Sequence, residues 1–404
     1  MAQPEPGRHA VEATDRRSMP AYLDYNSTTP VSPRVITAMM PYFARQYGNA
    51  SSAHTFGQEA HEAIDQARVR VAELLGCFED EIVFTSGGSE ANNLAIKGAV
   101  LRTLPQTVHV IASVIEHPSV LKTCYYLAQR LGTRVTLVPV DGHGSVDPRS
   151  VAKAVTPITR LVSIMLANNE VGTIQPLKEI VRRVREQAPD VLIHADAAQA
   201  VGKIRVDVKD LDVDLLTVAA HKFCGPKGVG ALYVRRGVEL DPLIEGAGHE
   251  SGRRSGTENT AGIVGLGMAA KLTYELLPTE ERRLSTLRDR LAMTLLETFP
   301  NAVVSGDPAH RLPNTLNIAF PGLIGSEILK AAPGVAASTG AACHSGAIEP
   351  SSVLLSMGFS RELAMGAIRL SIGRYTNGRQ VDMAAEELIA AIAGQRKAQG
   401  GGQH

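Results

Sequence analysis

Between about Val31 and Leu272 the chain alternates short β-branched runs with longer stretches of helical periodicity, and few architectures accept that order. Runs at 81–85, 108–113, 135–140, 161–166, 191–195 and 215–219 read as buried strands. Helix-like segments at 58–75, 90–101, 119–131 and 177–187 fall between several of them. Parallel strands need a crossover of a dozen or more residues, usually a helix. The order therefore predicts an α/β fold with a mostly parallel sheet covered by helices on both faces. Ligands of such sheets sit at the carboxyl ends of the strands, so chemistry is expected in the turns that follow them.

A long helical pattern over 280–298 leads to a second unit. It holds a strand at 314–320, a Gly/Ala/Ser-rich loop around Cys343, a strand at 367–372 and a closing helix at 380–393. The expected organisation is a leader over 1–19, a small α+β domain from 20–32 and 279–396, a large domain over 33–278 and a polar tail over 397–404. Leader and tail are expected to be disordered, since neither carries enough apolar residues for a core.

Composition narrows the function. Apolar residues make up 44% of the 404, enough for a sizeable core. Lys+Arg and Asp+Glu both number 41, so a net charge of zero gives no reason to expect nucleic acid or an anionic membrane as partner. The four cysteines (Cys77, Cys124, Cys224 and Cys343) are widely spaced, without a C-x-x-C pair, as in a reducing compartment. No signal-peptide run and no stretch of about 20 apolar residues occurs, so a cytoplasmic protein is expected.

Three strand ends carry suggestive groups. After 81–85 comes Ser86-Gly87-Gly88-Ser89-Glu90, where glycines and helix-start N–H groups suit a phosphate, although a serine N-cap reads equally well alone. After 191–195 comes Asp196, able to pair with a protonated pyridine nitrogen or to serve as a cap, with Gln199 in reach of a neighbouring ring oxygen. After 215–219 comes His221-Lys222, where a desolvated amine near another cation suits Schiff-base chemistry, against the plain reading of a surface lysine. Together the three supply what pyridoxal 5'-phosphate (PLP) needs: a phosphate cradle, an acid for the ring nitrogen and a lysine.

The second unit adds two groups. Cys343, among small residues, is a candidate nucleophile if its thiol is accessible, or else a small buried apolar residue. Arg369, between apolar neighbours in a strand, requires an anion, either a substrate carboxylate or an internal salt bridge.

The segments FTSGGSEANN, SVIEHPSV, LANNEVGTIQP, HADAAQAVGK, AAHKFCGPKGVGALYVRR, ESGRRSGTEN and STGAACHSGAIEPS resemble those of cysteine desulfurases, in the class V aminotransferase group. The Cys343 block also resembles selenocysteine lyases. The resemblance runs from about Tyr22 to the closing helix. It implies a fold-type I PLP-dependent transferase, with a mostly parallel seven-stranded sheet in the large domain and a smaller α+β domain. It also implies a homodimer that converts L-cysteine, or in the alternative L-selenocysteine, to alanine and passes sulfur through Cys343 to an acceptor protein, as in iron–sulfur cluster supply. Lys222 would be the Schiff-base lysine, Asp196 the pyridinium partner, Gln199 the donor to the ring hydroxyl oxygen and His117 the residue stacked on the ring. Gly88, Ser89 and His221 would hold the phosphate with Thr257 of the partner subunit, Asn169 would lie near ring and substrate, and Arg369 would clamp the carboxylate. Two positions depart from the pattern: Ala219 stands where many desulfurases carry a phosphate-binding serine, and Pro118 where selenocysteine lyases often carry an acid.

Overall fold

The computed structural model describes residues 19–339, 343–344 and 347–400. Residues 1–18 of the expected leader and 401–404 of the expected tail lie outside it. Seven strands form the main sheet: β1 (Ile82–Thr85), β2 (His109–Ser113), β3 (Arg134–Val138), β4 (Thr159–Ser163), β5 (Leu192–Asp196), β6 (Leu215–Ala219) and β7 (Gly230–Val234). Their spatial order is β1-β7-β6-β5-β4-β2-β3, and only β7 runs antiparallel to its neighbours. The mostly parallel seven-stranded sheet is as expected, with Gly230–Val234 as a strand beyond the six runs that the sequence marks. This strand returns directly from β6 through a turn rich in functional residues, without the helix that marks the other connections.

Strand residues alternate between two apolar layers. Phe84, Ile111, Val162, Ile193, Leu216 and Tyr233 face one layer, shared with α1 (Thr55–Leu75) and the helix Leu177–Gln187. Val83, Val110, Leu161, Leu192, Leu215 and Leu232 face the other, shared with α2 (Gly88–Leu101) and α3 (Pro118–Leu131). With both faces covered, the strands are mostly apolar; the buried mid-strand exceptions His194 and Thr217 satisfy each other at 3.1 Å, and buried charge is left to the strand ends. Reversal of the strand order at β2 opens a crevice at the carboxyl edge.

A second, three-stranded antiparallel sheet is built from β8 (Val303–Ser305), β9 (Thr315–Ala319) and β10 (Ala367–Ser371), with β9 in the middle. Its apolar cluster includes Leu316, Ile318, Ile368 and Leu370, packed with Leu388 and Ile392 of the last helix, Gly378–Gly400. That helix runs seven residues past the expected end at 393, into the stretch read as tail.

The largest difference concerns the helix expected over 280–298. It begins at Thr260 and runs 39 residues to Thr298, with Pro278 inside it. An internal proline costs a helix about 3 kcal/mol. Here both halves are held by packing, Ile263, Leu266 and Ala270 in the main core and Leu284, Leu291 and Leu295 in the small one. Among the described residues, no helix is long and apolar enough to cross a membrane.

Candidate active site

A cleft of about 690 Å³ opens at the carboxyl edge of the main sheet. Gly88, Ser89, His117, Asn169, Asp196, Gln199, His221, Lys222 and Arg369 all line it. The volume lies in the range of small-molecule and cofactor sites. Nine of the eleven residues expected at the site thus come together from five strand ends and the small sheet. Thr257 does not line this cleft within one chain; it borders a neighbouring hollow that shares Ser86 and Gly228 with it. Cys343 lies in a two-residue strand, Cys343–His344, paired with Ala347–Ile348, and its side chain is outside the described residues.

Lys222 closes a single 3-10 turn, Ala220–Lys222, immediately after β6. Its Nζ donates to the carbonyl oxygens of Asn26 at 2.7 Å and Ser27 at 2.9 Å. Burial and the nearby Arg369 guanidinium bring its pKa down to about 8, against the opposing pull of Asp196 and Asp24. A lysine in that state has a substantial neutral fraction near pH 8, as nucleophilic attack on an aldehyde requires. His221 is pushed down to about 4 by burial and by Lys222, Lys227 and Lys203, so its ring is neutral near pH 7.

Asp196 ends β5 and is 6% exposed. Oδ1 accepts from the N–H of Ala198 at 3.0 Å, and Oδ2 from Asn92 Nδ2 at 2.8 Å. The same Asn92 amide donates to Ser119 Oγ at 2.8 Å, which meets His117 Nδ1 at 2.7 Å. The Ser119 N–H also points at His117 Nδ1, at 3.1 Å. An N–H donor on Nδ1 makes that nitrogen an acceptor and places the proton of the neutral ring on Nε2. Partial desolvation in the cleft lowers the His117 pKa, and Asp196 opposes the shift.

Arg369 is 5% exposed in the middle of β10. Its Nη2 donates to Asp24 Oδ1 at 2.8 Å and Ser27 Oγ at 2.7 Å, and its Nη1 to the Asn169 carbonyl at 3.0 Å. The internal salt bridge and the position in the cleft, posed as alternatives from sequence, therefore coexist.

The residues fit PLP on their own chemistry. Gly87 precedes α2 with φ +145°, and a Cβ built there meets nothing within 4 Å, so the backbone faces open space at a helix start. A carboxylate, an amide, an imidazole and a lysine with lowered pKa share the same cleft. Among the described residues no group of side chains suits a metal ion.

Sequence reasoning missed three groups here. Asn26 supplies the carbonyl that holds Lys222, and Asn92 anchors Asp196. Glu116, beside His117, is fully buried with its pKa raised to about 8 by burial, against the hydrogen bonds from Ser113 and Met165. Asn92 was legible, because it lies four residues after Gly88 and so on the same helix face. Asn26 acts through its backbone, which leaves no trace in residue type.

Fold and cleft define a family, and the chain belongs to the class-V aminotransferases, whose family pattern matches residues 21–383. Within that family it is 48% identical to a cysteine desulfurase of Trichormus azollae over 369 residues, 91% of each chain. It is 44% identical to the cysteine desulfurase IscS of Clostridium botulinum (strain Hall) over 380 residues, 93% of this chain and 95% of that one. Among solved structures, a NifS-like protein superposes with a TM-score of 0.87 at 38% identity, covering 93% of this chain and all of that one. SspA, solved in complex with cysteine, superposes at 0.77 with 38% identity over 88% of this chain and 99% of its own.

Proposed function

We propose that this chain is a PLP-dependent cysteine desulfurase, converting L-cysteine to L-alanine and taking the sulfur onto Cys343 as a persulfide. The observation that carries the reading is the convergence of Lys222, Asp196, Gln199 and His117 on one cleft in a member of this family.

PLP, when bound, supplies an electron sink for charge developing at the substrate α-carbon. Lys222 would hold it covalently, Asp196 would keep its ring nitrogen protonated, and Gln199 would donate to its ring hydroxyl oxygen. His117 would cover a ring face, and Gly88, Ser89 and His221 would take the phosphate at the start of α2, with Thr257 of the partner subunit. Ala219 removes one hydroxyl donor from that cradle. Arg369 would bind the substrate carboxylate beside Asn169, in competition with Asp24. Lys222, once free, removes the α-proton as a neutral amine, and His117 carries protons through Nε2. The Cys343 thiolate then attacks the substrate sulfur. An S–S bond forms as the Cβ–S bond breaks, the electron pair stays on carbon, and protonation gives the methyl group of alanine. The homodimer, delivery of sulfur to an acceptor protein and cytoplasmic location belong to the same proposal. So does the division into a large domain (33–278) and a small one (20–32 and 279–396), which the two separate apolar clusters support.

The test is product formation from L-cysteine and from L-selenocysteine, with native protein and Cys343→Ala. Loss of the nucleophile should cut alanine and sulfide from cysteine by on the order of 10³-fold or more, with PLP absorption retained. Full-rate cysteine turnover by the variant would remove Cys343 from the mechanism, and turnover of selenocysteine alone would make the protein a selenocysteine lyase.

A further inference from the structure

The buried amine of Lys203 sits directly behind the cleft. It is 4% exposed, and its Nζ lies 2.8 Å from Gln199 Oε1 and 3.0 Å from the Gln199 carbonyl oxygen. We propose that Lys203 is a positioning residue that locks the Gln199 amide with its NH₂ toward the cofactor cleft and its oxygen turned away.

An amide side chain has two ends of nearly equal shape, and neighbours alone decide which faces the ligand. Here both ends are fixed by groups that allow one answer. As an ammonium, Lys203 Nζ can only donate at this contact, so the atom facing it is oxygen. The Asn26 carbonyl, 2.9 Å from the other end, can only accept, so the atom facing it is nitrogen. One N–H of Gln199 is used by Asn26, and the second remains for a ligand in the cleft that Gln199 lines. The Asn26 carbonyl also receives Lys222 Nζ, so the lysine that would carry the cofactor and the amide that would read its ring oxygen share an acceptor.

Burial drives the Lys203 pKa well below its ordinary value, assisted by Lys222 and Arg369. The lock survives that shift: a neutral amine keeps two N–H groups for its two acceptors, and the Asn26 carbonyl, which can only accept, still turns the amide nitrogen away from Lys203. Local backbone brings the partners together. Turns from Ala197 to Ile204 are closed by Val201 N–H to the Ala197 carbonyl and Ile204 N–H to the Ala200 carbonyl. Between them Gly202 has φ +85°, and a Cβ there would lie 2.4 Å from Phe223 Cβ, so a side chain would push this turn off the residue beside Lys222.

The assignment deepens the reading of the site given above and rests on it. A donor to the ring oxygen favours the more anionic state of that oxygen, so losing the donor raises the pH at which the bound cofactor loses its proton. The experiment titrates the absorption of bound PLP, and measures PLP affinity, in native protein, Lys203→Met, Gln199→Met and the double variant. Lys203→Met should weaken PLP binding on the order of 10-fold and raise the absorption midpoint, in the same direction as Gln199→Met. In the Gln199→Met background the Lys203 change should move the midpoint no further, an interaction that a merely structural lysine would not produce. If Lys203→Met does not fold, Lys203→Leu takes its place in the cycle. An unchanged midpoint in the single variant, or fully additive shifts in the double, would overturn the assignment while leaving the desulfurase reading standing. Native protein that binds no PLP would overturn both.

Discussion

The carboxyl edge of the main sheet and the middle of the small sheet handle charge in opposite ways. In β1–β6 no carboxylate, lysine or arginine is buried within a strand interior, and Asp196, Lys222 and the glycine turn before α2 lie at or just beyond the strand ends. A polar group at a strand end can reach the cleft without disturbing the ladder. Arg369 instead sits mid-strand in β10, opposite Asn317 of β9. There it is surrounded by sheet, and the structure compensates with Asp24, Ser27 and the Asn169 carbonyl. The first arrangement makes a charge available by placement, the second by counter-charge that a ligand must displace or share.

Breaking the second arrangement should have the largest effect. Arg369→Met should raise KM for L-cysteine roughly 100-fold or more, since charge-assisted contacts of this kind are worth about 2–5 kcal/mol when truncated. PLP should still bind, because Lys222, Asp196 and Gln199 stand at the edge of the main sheet. An unaltered KM would leave Arg369 as a structural partner of Asp24 only.

The strand-end arrangement is sharpened by pH. With its pKa at about 8, Lys222 gains its neutral form between pH 7 and 9, whereas an ordinary lysine gains it near 10.5. PLP uptake by the apoprotein, followed by absorbance, should therefore accelerate with a midpoint near pH 8. A midpoint above 10 would mean that burial and Arg369 do not act on this amine. The smallest effect is expected at Glu116. Its folded-state pKa, raised to about 8, exceeds the ordinary glutamate value of 4.5. The folded protein thus holds a proton that the unfolded chain has released, and stability linked to this group falls as pH rises from about 4.5 to about 8. Glu116→Gln should flatten the melting temperature across that window, and a slope as steep as in native protein would place the linkage elsewhere.

Much of the main sheet was legible because burial on both faces writes itself as continuous β-branched runs. Helix Leu177–Gln187 matches its expected bounds, since its apolar residues recur on one face only. The strand Gly230–Val234 was not legible, because its place inside the sheet depends on pairing with β1, which is distant in sequence, as well as with the preceding β6. The start of the long helix at Thr260 was hidden by the proline, whose local penalty is offset only by packing against two cores. Nine site residues expected from the sequence line one cleft, yet Asn26 and Lys203 escaped notice, one acting through its carbonyl and the other through a buried contact.

By itself the sequence determined the alternation that makes a covered parallel sheet, and the chemical types set at its strand ends. Both follow from local rules, namely side-chain periodicity and the exclusion of polar groups from strands buried on two faces. Only the tertiary structure decided which way the Gln199 amide points, that Arg369 is held by Asp24, and that burial and Arg369 bring the Lys222 pKa down. Apart from the contact of Lys203 with Gln199 four residues away, those are properties of distance and desolvation between groups far apart in the chain, and no local pattern encodes them.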